Sequence, residues 1–220
     1  DMQNTPEPIR SRVRDIGMLQ LLYIYGGMCL PNSFLCIKNL IDIYHQGTMK
    51  DTPFISEKIS RSNTKPLFIP DIQFIGARKE NNVIQELIQQ LQLSCNEFSR
   101  ENEFNGTIPI WCLEQIDKQN MKLVDGKIIG IKTTVGKPVL IETLISDDFV
   151  DFDETLLHGI YIPKLEILKR PKYQWFSILP IDDVLETNTI LSKYFKLSMT
   201  DCVVDKHYKT KSVHTSMIAI

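Results

Sequence analysis

Apolar residues recur at helical spacing through the first segment of the chain. The apolar positions are Val13, Ile16, Leu19, Leu21, Leu22 and Ile24. This density predicts a largely buried helix over residues 9–25. Gly26 and Gly27 follow it and are typical of a helix C-terminal cap. Residues 28–30 then predict a short strand that ends at Pro31.

The middle of the chain alternates between helical and strand-like patterns. Residues 33–47 predict a second helix that ends at Gly47, and residues 48–66 predict an excursion with a polar loop. A strand with a break at Pro70 is predicted over 67–77. The period of residues 79–98 predicts an amphipathic helix that Asn81 or Asn82 caps. Residues 106–117 fit either a helix or a strand.

The last third of the chain also mixes the two element types. Residues 126–145 begin like a strand and break at Gly-Lys-Pro before a predicted helix. Residues 159–170 and 173–181 predict strands, and 183–195 predict a helix that Asp182 or Asp183 caps. Short β-branched strands among helices predict an α/β or α+β class. No repeat or shift in composition divides the 220 residues, so we expect a single domain over 1–220.

Composition and charge exclude several classes of partner. The chain is 43% hydrophobic and 24% charged, as in an ordinary globular protein, and its net charge is −2. We therefore expect no nucleic acid partner. No segment reaches the roughly 18 apolar residues that a membrane span needs. Basic runs at residues 10–14 and 206–211 could contact phosphate, although a solvated face is the favoured interpretation.

The five cysteines favour a reducing compartment. They are Cys29, Cys36, Cys95, Cys112 and Cys202, with no C-x-x-C pair. Free thiols are typical of an intracellular, cytoplasmic protein. The abundance of Ile, Asn and Lys suggests an AT-rich genome such as that of a large DNA virus or a protist, which makes the virion a second expected location. The chain begins at Asp1 and ends abruptly, so we expect a fragment of a longer product.

The candidate metal ligands are few. An acidic cluster comprises Asp147, Asp148, Asp151, Asp153 and Glu154. A cation site is one interpretation, but the spacing lacks the central Gly and late Glu of a calcium loop, so an exposed acidic loop is favoured. No P-loop, G-x-G-x-x-G or G-x-S-x-G motif occurs.

Several short motifs follow one another in a recognisable order. Asp15 lies on the first helix, and residues 22–27 read Leu-Tyr-Ile-Tyr-Gly-Gly. "FIGARKENNVIQELIQQL" at 74–91, "TTVGKPVLIETL" at 133–144 and "IPKLEILKRPKYQWF" at 162–176 come later. This order resembles the GT-A-fold glycosyltransferases with a DXD-motif sugar-binding region. In that family a helix carries Ser-Asp-x-x-Arg, then comes Leu-Tyr-x-Tyr-Gly-Gly, and a strand ends in Asp-x-Asp.

The resemblance implies a fold and a chemistry. The fold is a GT-A-like mixed sheet flanked by helices, and the substrate is a nucleotide-sugar. The Asp-x-Asp carboxylates hold a divalent cation that neutralises the leaving diphosphate. The helix Asp orients the nucleoside or sugar, and the two glycines let the backbone approach the ligand. Candidate substrate-binding residues are therefore Asp15, Gly26, Gly27, Asn32 and Ser33.

The sequence departs from the family where the charge should be. Asp-x-Asp falls on Pro31-Asn32-Ser33, and the family Arg and Ser fall on Met18 and Arg14. Two neutral ligands cannot replace two anions for Mg²⁺ or Mn²⁺, so we expect no metal and no cofactor. His207 and His214 lie where the family has a metal-binding His, but the Trp that follows it is missing. Few residues precede Asp15, so we expect the N-terminal part of the fold to be truncated or to lie outside the chain.

Three hypotheses follow from this mixture. The first is a degenerate, non-catalytic domain that binds a protein partner or serves as a structural module, for example in a large viral assembly. The second is an active, metal-independent glycosyltransferase in which Arg12, Arg14, Arg78 or Lys79 stabilises the leaving group. The third is an unrelated α/β interaction domain. Asp15 in an ion pair with Arg12 or Arg14, and the glycine pair as a helix stop, remain structural alternatives.

Overall fold

Helices and strands alternate along the chain in the computed structural model, which describes residues 9–61, 66–96 and 106–201. The helices are α1 Ile9–Tyr25, α2 Ile41–Gly47, α3 Asn82–Asn96, α4 Thr107–Asp117, α5 Ile141–Leu144, α6 Lys164–Lys169, α7 Gln174–Ser177, α8 Ile181–Glu186 and α9 Ile190–Asp201. The strands are β1 Gly27–Cys29, β2 Phe34–Cys36, β3 Phe54–Arg61, β4 Pro66–Ala77, β5 Lys122–Leu123 and β6 Gly159–Tyr161. Short 3₁₀ turns cover Met49–Asp51 and Pro171–Tyr173.

The strands form a mixed four-stranded sheet and a separate two-stranded ribbon. The sheet order is β1-β4-β3-β5, with β1/β4 and β3/β4 antiparallel and β3/β5 parallel. Strands β2 and β6 pair antiparallel, with Phe34 opposite Tyr161. The fold is therefore mixed α/β, with a mixed sheet flanked by helices, as the sequence predicts.

Neighbouring residues of the two central strands supply both faces of the sheet. Phe54 and Phe74 belong to one buried cluster, and Ile55 and Ile75 belong to another. This alternation follows from the two-residue period of a strand. The Ile55 cluster contains Leu19, Leu22, Ala77, Ile84, Leu87, Ile88, Leu91, Cys112 and Met121, so α1, α3 and α4 cover this face. A third cluster, from Val139 to Leu191, lies in the C-terminal part.

Several predicted elements are confirmed. Helix α3 buries Ile84, Leu87 and Leu91, and the Asn81 side chain accepts hydrogen bonds from the backbone N–H groups of residues 83 and 84. Strands β1 and β4 lie where the pattern places them, and β4 continues through the predicted break at Pro70. The ambiguous segment at 106–117 forms α4.

Other predictions are wrong because distant pairing outweighs local pattern. Residues 33–47 are β2 followed by α2 rather than one helix, since β2 pairs with the remote β6. Within the predicted excursion at 48–66, residues 54–61 form strand β3, because β4 pairs with them. Only the start of 159–181 is a strand, and Pro163 leads into α6. The helix predicted over 183–195 is interrupted between α8 and α9.

The first helix differs most from its prediction. The buried residues of α1 are Leu19 and Leu22, and the other apolar positions are partly or largely exposed. The prediction of a largely buried helix is therefore wrong among the described residues.

Predictions for Cys202, His207, His214 and the basic run at 206–211 lie outside the described residues. Among the residues that the structure describes, no helix is long and apolar enough to cross a membrane.

Candidate functional site

The glycine pair joins α1 to the edge of the sheet. The Gly26 N–H donates to the Leu22 carbonyl at 2.8 Å, and its φ of +69° is the left-handed conformation that ends helices. A Cβ at Gly26 would lie 2.7 Å from the backbone nitrogen of Lys79. Gly27 pairs with Ala77 across β1 and β4. Both glycines therefore have a structural role, and Gly26 approaches protein backbone at the end of β4.

Strand β1 runs back along α1 and leads into the turn at residues 31–34, which we call the candidate turn. The Cys29 thiol lies 3.9 Å from the Met18 carbonyl, which is less than one helical turn from Asp15. Two residues later, the Phe34 N–H donates to the Pro31 carbonyl at 3.0 Å and closes a turn. The turn leaves Asn32 exposed and buries Pro31. The structure thus places the turn after a short strand that returns beside the helix of Asp15.

A lysine from far along the chain contacts this turn. The Lys164 ammonium donates to the Asn32 side-chain oxygen at 2.5 Å. The Ser33 carbonyl accepts the Ile162 N–H at 2.9 Å, because β2 and β6 pair next to the turn. The turn on which the resemblance places Asp-x-Asp therefore carries no carboxylate, and the amide of its middle residue, Asn32, is bound to a cation. No motif in the sequence singles out Lys164 as a contact of this turn.

These residues do not fit a divalent cation. Mg²⁺ and Mn²⁺ are held by carboxylates, and Asn32 and Ser33 supply none. A positive charge so close to Asn32 also opposes the entry of another cation. Across residues 9–61, 66–96 and 106–201, no group of three His, Cys, Asp or Glu side chains could hold a metal.

The acidic cluster makes local hydrogen bonds. The Asp151 carboxylate accepts the Thr134 hydroxyl, and Asp153 accepts the Thr155 hydroxyl at 2.6 Å and the Leu156 N–H at 3.2 Å. The hydrogen bonds to Asp153, chiefly the one from the Thr155 side chain, lower the pKa of this carboxyl group. The geometry is that of an exposed loop, which is the interpretation that the sequence spacing favours over a calcium site.

The predicted basic groups are dispersed. The Arg12 guanidinium donates to the Ser94 carbonyl at 2.8 Å, which ties α1 to α3. Arg14 is exposed on α1, and Arg78 and Lys79 are exposed just after β4. Asp15 is half-buried on α1. The hydrogen bond assigns Arg12 a role in helix packing, while Arg78 and Lys79 lie at the glycine junction.

A buried ion pair joins Glu57 of β3 to Lys132, and no sequence motif marks it. The Glu57 carboxylate accepts the Lys132 ammonium at 2.5 Å and the Gly126 N–H at 2.8 Å. The two side chains are 8% and 16% exposed. Lys132 also lies 4.4 Å above the centre of the Phe68 ring and 3.7 Å from Asp125. In the sequence, Glu57 lies among other polar residues of β3, so its burial could not be predicted from the local pattern.

A small pocket opens beside the two-stranded ribbon. It encloses about 300 Å³, part of it open solvent, and its lining is Ile59, Ile131, Val139, Leu140, Ile141, Tyr161, Pro163 and Glu166. Burial, with the nearby Asp71 and Glu166 charges, raises the pKa of Tyr161 to about 12. The phenol is therefore neutral at physiological pH. An apolar wall with one neutral hydroxyl and one carboxylate does not suit a diphosphate.

No protein-family model, no curated protein and no solved structure matches the chain.

Proposed function

We propose that this chain is a degenerate glycosyltransferase-like domain that does not transfer sugar and acts as a structural or partner-binding module. The observation that carries the proposal is the hydrogen bond between Lys164 and Asn32. In the family that the sequence resembles, this turn delivers two carboxylates to a cation. Here the turn carries no carboxylate and is bound by an ammonium group.

The arrangement of the motifs supports the glycosyltransferase-like part of the proposal. The glycine pair and the strand ending at Ala77 are far apart in the sequence, yet they pair through β1 and β4. The turn after β1 lies against residues 162–164, which belong to the latest of the similar motifs. The motifs at 22–27, 74–91 and 162–176 are thus joined through β1 and the turn that follows it. A shared scaffold does not require shared chemistry, because activity depends on the residues of the site.

An active, metal-independent transferase is the second candidate, and the same lysine favours it. A leaving nucleoside diphosphate needs positive charge, and an ammonium group can supply it without a metal. Lys164 lies at the turn itself, whereas Arg12 is engaged with α3. The two candidates therefore differ in whether Lys164 binds an anionic ligand or only the turn.

Titration of UDP- and GDP-sugars separates the candidates. We expect no saturable binding by calorimetry up to millimolar donor, with or without Mn²⁺, and no turnover. Lys164→Gln and Lys79→Gln serve as a matched pair, since both lysines are exposed. Binding that Lys164→Gln abolishes and Lys79→Gln preserves would establish the second candidate. Donor binding or turnover of any other kind would equally overturn the non-catalytic proposal.

A second titration tests the missing carboxylates. We expect Asn32→Asp with Ser33→Asp to bind no Mn²⁺, because Lys164 can pair with the new carboxylates. Adding Lys164→Gln removes that competing cation. Strong Mn²⁺ binding by the double variant with Lys164 intact would show that charge at this turn does not exclude a metal.

A further inference from the structure

Helices α6 and α7 present large apolar side chains to the outside. The exposed fractions are Leu165 58%, Leu168 67%, Trp175 46% and Ile178 72%. The side chains that anchor the same segment, Ile167, Tyr173 and Phe176, are buried in one cluster. The two helices also pack against each other. Because both bury their other side on that cluster, their exposed side chains lie on one outward surface.

The leucines of α6 lie between two lysines. At about 100° per residue, the exposed side of this helix spans an arc of about 140° that reads Lys164, Leu168, Leu165 and Lys169 in order. Trp175 of α7 and Ile178, the residue after it, likewise lie about 60° apart and away from the buried Phe176. We call the set of Lys164, Leu165, Leu168, Lys169, Trp175 and Ile178 the α6–α7 surface.

The segment that carries this surface is basic, although the chain as a whole is not. The chain has 25 basic and 27 acidic residues. Residues 164–178 contain four basic residues, which are Lys164, Lys169, Arg170 and Lys172, and a single acidic residue, Glu166. The apolar side chains of the surface therefore lie in a local excess of positive charge.

The acidic groups near the surface neutralise only part of this charge. The Arg170 guanidinium lies 3.7 Å from the Glu166 carboxylate, and Lys172 donates to Glu142 at 3.0 Å. Lys164 donates to the neutral amide of Asn32, so that bond leaves its positive charge in place. The exposed Asp182 and Asp183 follow on α8 and end the basic stretch. The two lysines that flank the leucines thus keep the surface positive.

We propose that the α6–α7 surface binds an anionic membrane surface. Leucine and isoleucine side chains can enter the boundary between headgroups and acyl chains, and tryptophan is favoured at that depth because its ring is amphipathic. Lysine stems lie along apolar surface while their ammonium groups reach anionic headgroups. Lys164 and Lys169 have this arrangement on either side of the two leucines.

The lysines favour a lipid surface over a protein partner. Lysine is depleted in protein interfaces, where a strongly hydrated ammonium group would have to be ordered or desolvated. At a membrane the same group stays hydrated among the headgroups. This inference goes beyond the proposed function and fails separately from it, because donor titration contains no lipid and vesicle binding contains no donor.

Vesicle co-sedimentation of the full 220-residue chain tests the proposal. We expect saturable binding to phosphatidylcholine vesicles with about 30% phosphatidylserine in about 0.1 M salt. Binding should be at least tenfold weaker with phosphatidylcholine alone or in about 0.5 M salt, because both remove the electrostatic attraction.

Matched variants test the apolar and the charged contributions. Leu165→Glu should weaken binding at least tenfold, whereas Leu93→Glu should leave it unchanged, since Leu93 is also 58% exposed but lies on α3. Lys169→Gln should weaken binding to the anionic vesicles about fivefold. Lys118→Gln, at an exposed position just after α4, should not. Circular dichroism of each variant checks that it is folded.

The fluorescence of Trp175 distinguishes insertion from adsorption by charge alone. The chain has two tryptophans, so Trp111→Phe leaves Trp175 as the sole reporter. On addition of anionic vesicles, its emission should shift to shorter wavelength, and lipids with brominated acyl chains should quench it. A protein partner would produce no such quenching.

Three results would overturn the proposal. They are the absence of binding to anionic vesicles at about 1 mM lipid, equal binding of Leu165→Glu and the wild type, and binding without quenching of Trp175. A chain that does not bind vesicles but self-associates in sedimentation velocity, in a manner that Leu165→Glu abolishes, would assign the surface to a second copy instead.

Discussion

Removing the buried carboxylate of Glu57 should destabilise the fold strongly. Its partner Lys132 is 16% exposed and would keep its charge in a poorly hydrated place, while the Gly126 N–H would lose its acceptor. Breaking a buried pair costs about 3–5 kcal/mol when one charge is left behind. Because Asp125 lies 3.7 Å from the ammonium and the Phe68 ring faces it, we expect Glu57→Ala to lose about 3 kcal/mol, the lower end of that range.

Two further variants divide this free energy of unfolding between the charge and the hydrogen bond. Glu57→Gln keeps an acceptor for the Gly126 N–H, so its loss should be about 1–2 kcal/mol. Combining Glu57→Gln with Lys132→Met removes both charges, and this double variant should be more stable than the sum of the single losses by about 1–3 kcal/mol. The two losses should therefore be less than additive, because each single variant leaves the charge or polar group of the other residue without its partner.

Urea unfolding followed by circular dichroism measures these differences, with midpoint and slope fitted for each variant. Lys172→Ala is the control, since Lys172 pairs with Glu142 at 3.0 Å but is 58% exposed, and solvent screening should make its effect on the free energy of unfolding much smaller than that of Glu57→Ala. If Glu57→Ala costs no more than Lys172→Ala, the Glu57–Lys132 pair does not stabilise this region, and the reasoning from burial is refuted.

Three other predictions concern a turn, a cap and a thiol. Gly26→Ala should cost about 2–4 kcal/mol in urea unfolding, against about 1 kcal/mol for Gly136→Ala, because both have positive φ but only Gly26 lies against backbone. Asn81→Ala should lower the free energy of unfolding by about 1–3 kcal/mol, since the Asn81 side chain caps α3 and also donates to the Asp51 carbonyl at 2.6 Å. The exposed Asn82→Ala should lower it by less than about 0.5 kcal/mol, and equal losses would contradict the cap. Burial raises the pKa of Cys112 to about 12, so its thiolate is scarce until pH rises towards that value. At pH 8, mass-mapped alkylation of Cys112 should be about a thousandfold slower in the folded chain than in urea, and rapid labelling of the folded chain would refute its burial.

Local pattern predicted the elements whose partners are nearby in the sequence. The amphipathic period of α3 and the cap at Asn81 are local properties, and both are confirmed. The strand β2 could not be predicted, because three residues become a strand only when β6 pairs with them. The outward side of α1 was missed for a related reason. Apolar spacing reports that a residue favours burial, but it does not say which surface provides the cover.

The candidate turn shows the same division between local and distant causes. Sequence placed Pro31, Asn32 and Ser33 after a short strand, and it established that no carboxylate is present. It could not predict that Lys164 reaches the turn, because the pairing of β2 with β6 sets that contact. An aspartate at position 32 would form an ion pair with the Lys164 ammonium, which competes with a metal for the carboxylate. We therefore expect aspartates at positions 32 and 33 to create no cation site while Lys164 is present. Of the two features that oppose a cation here, only the absence of carboxylates is visible in the sequence of the turn.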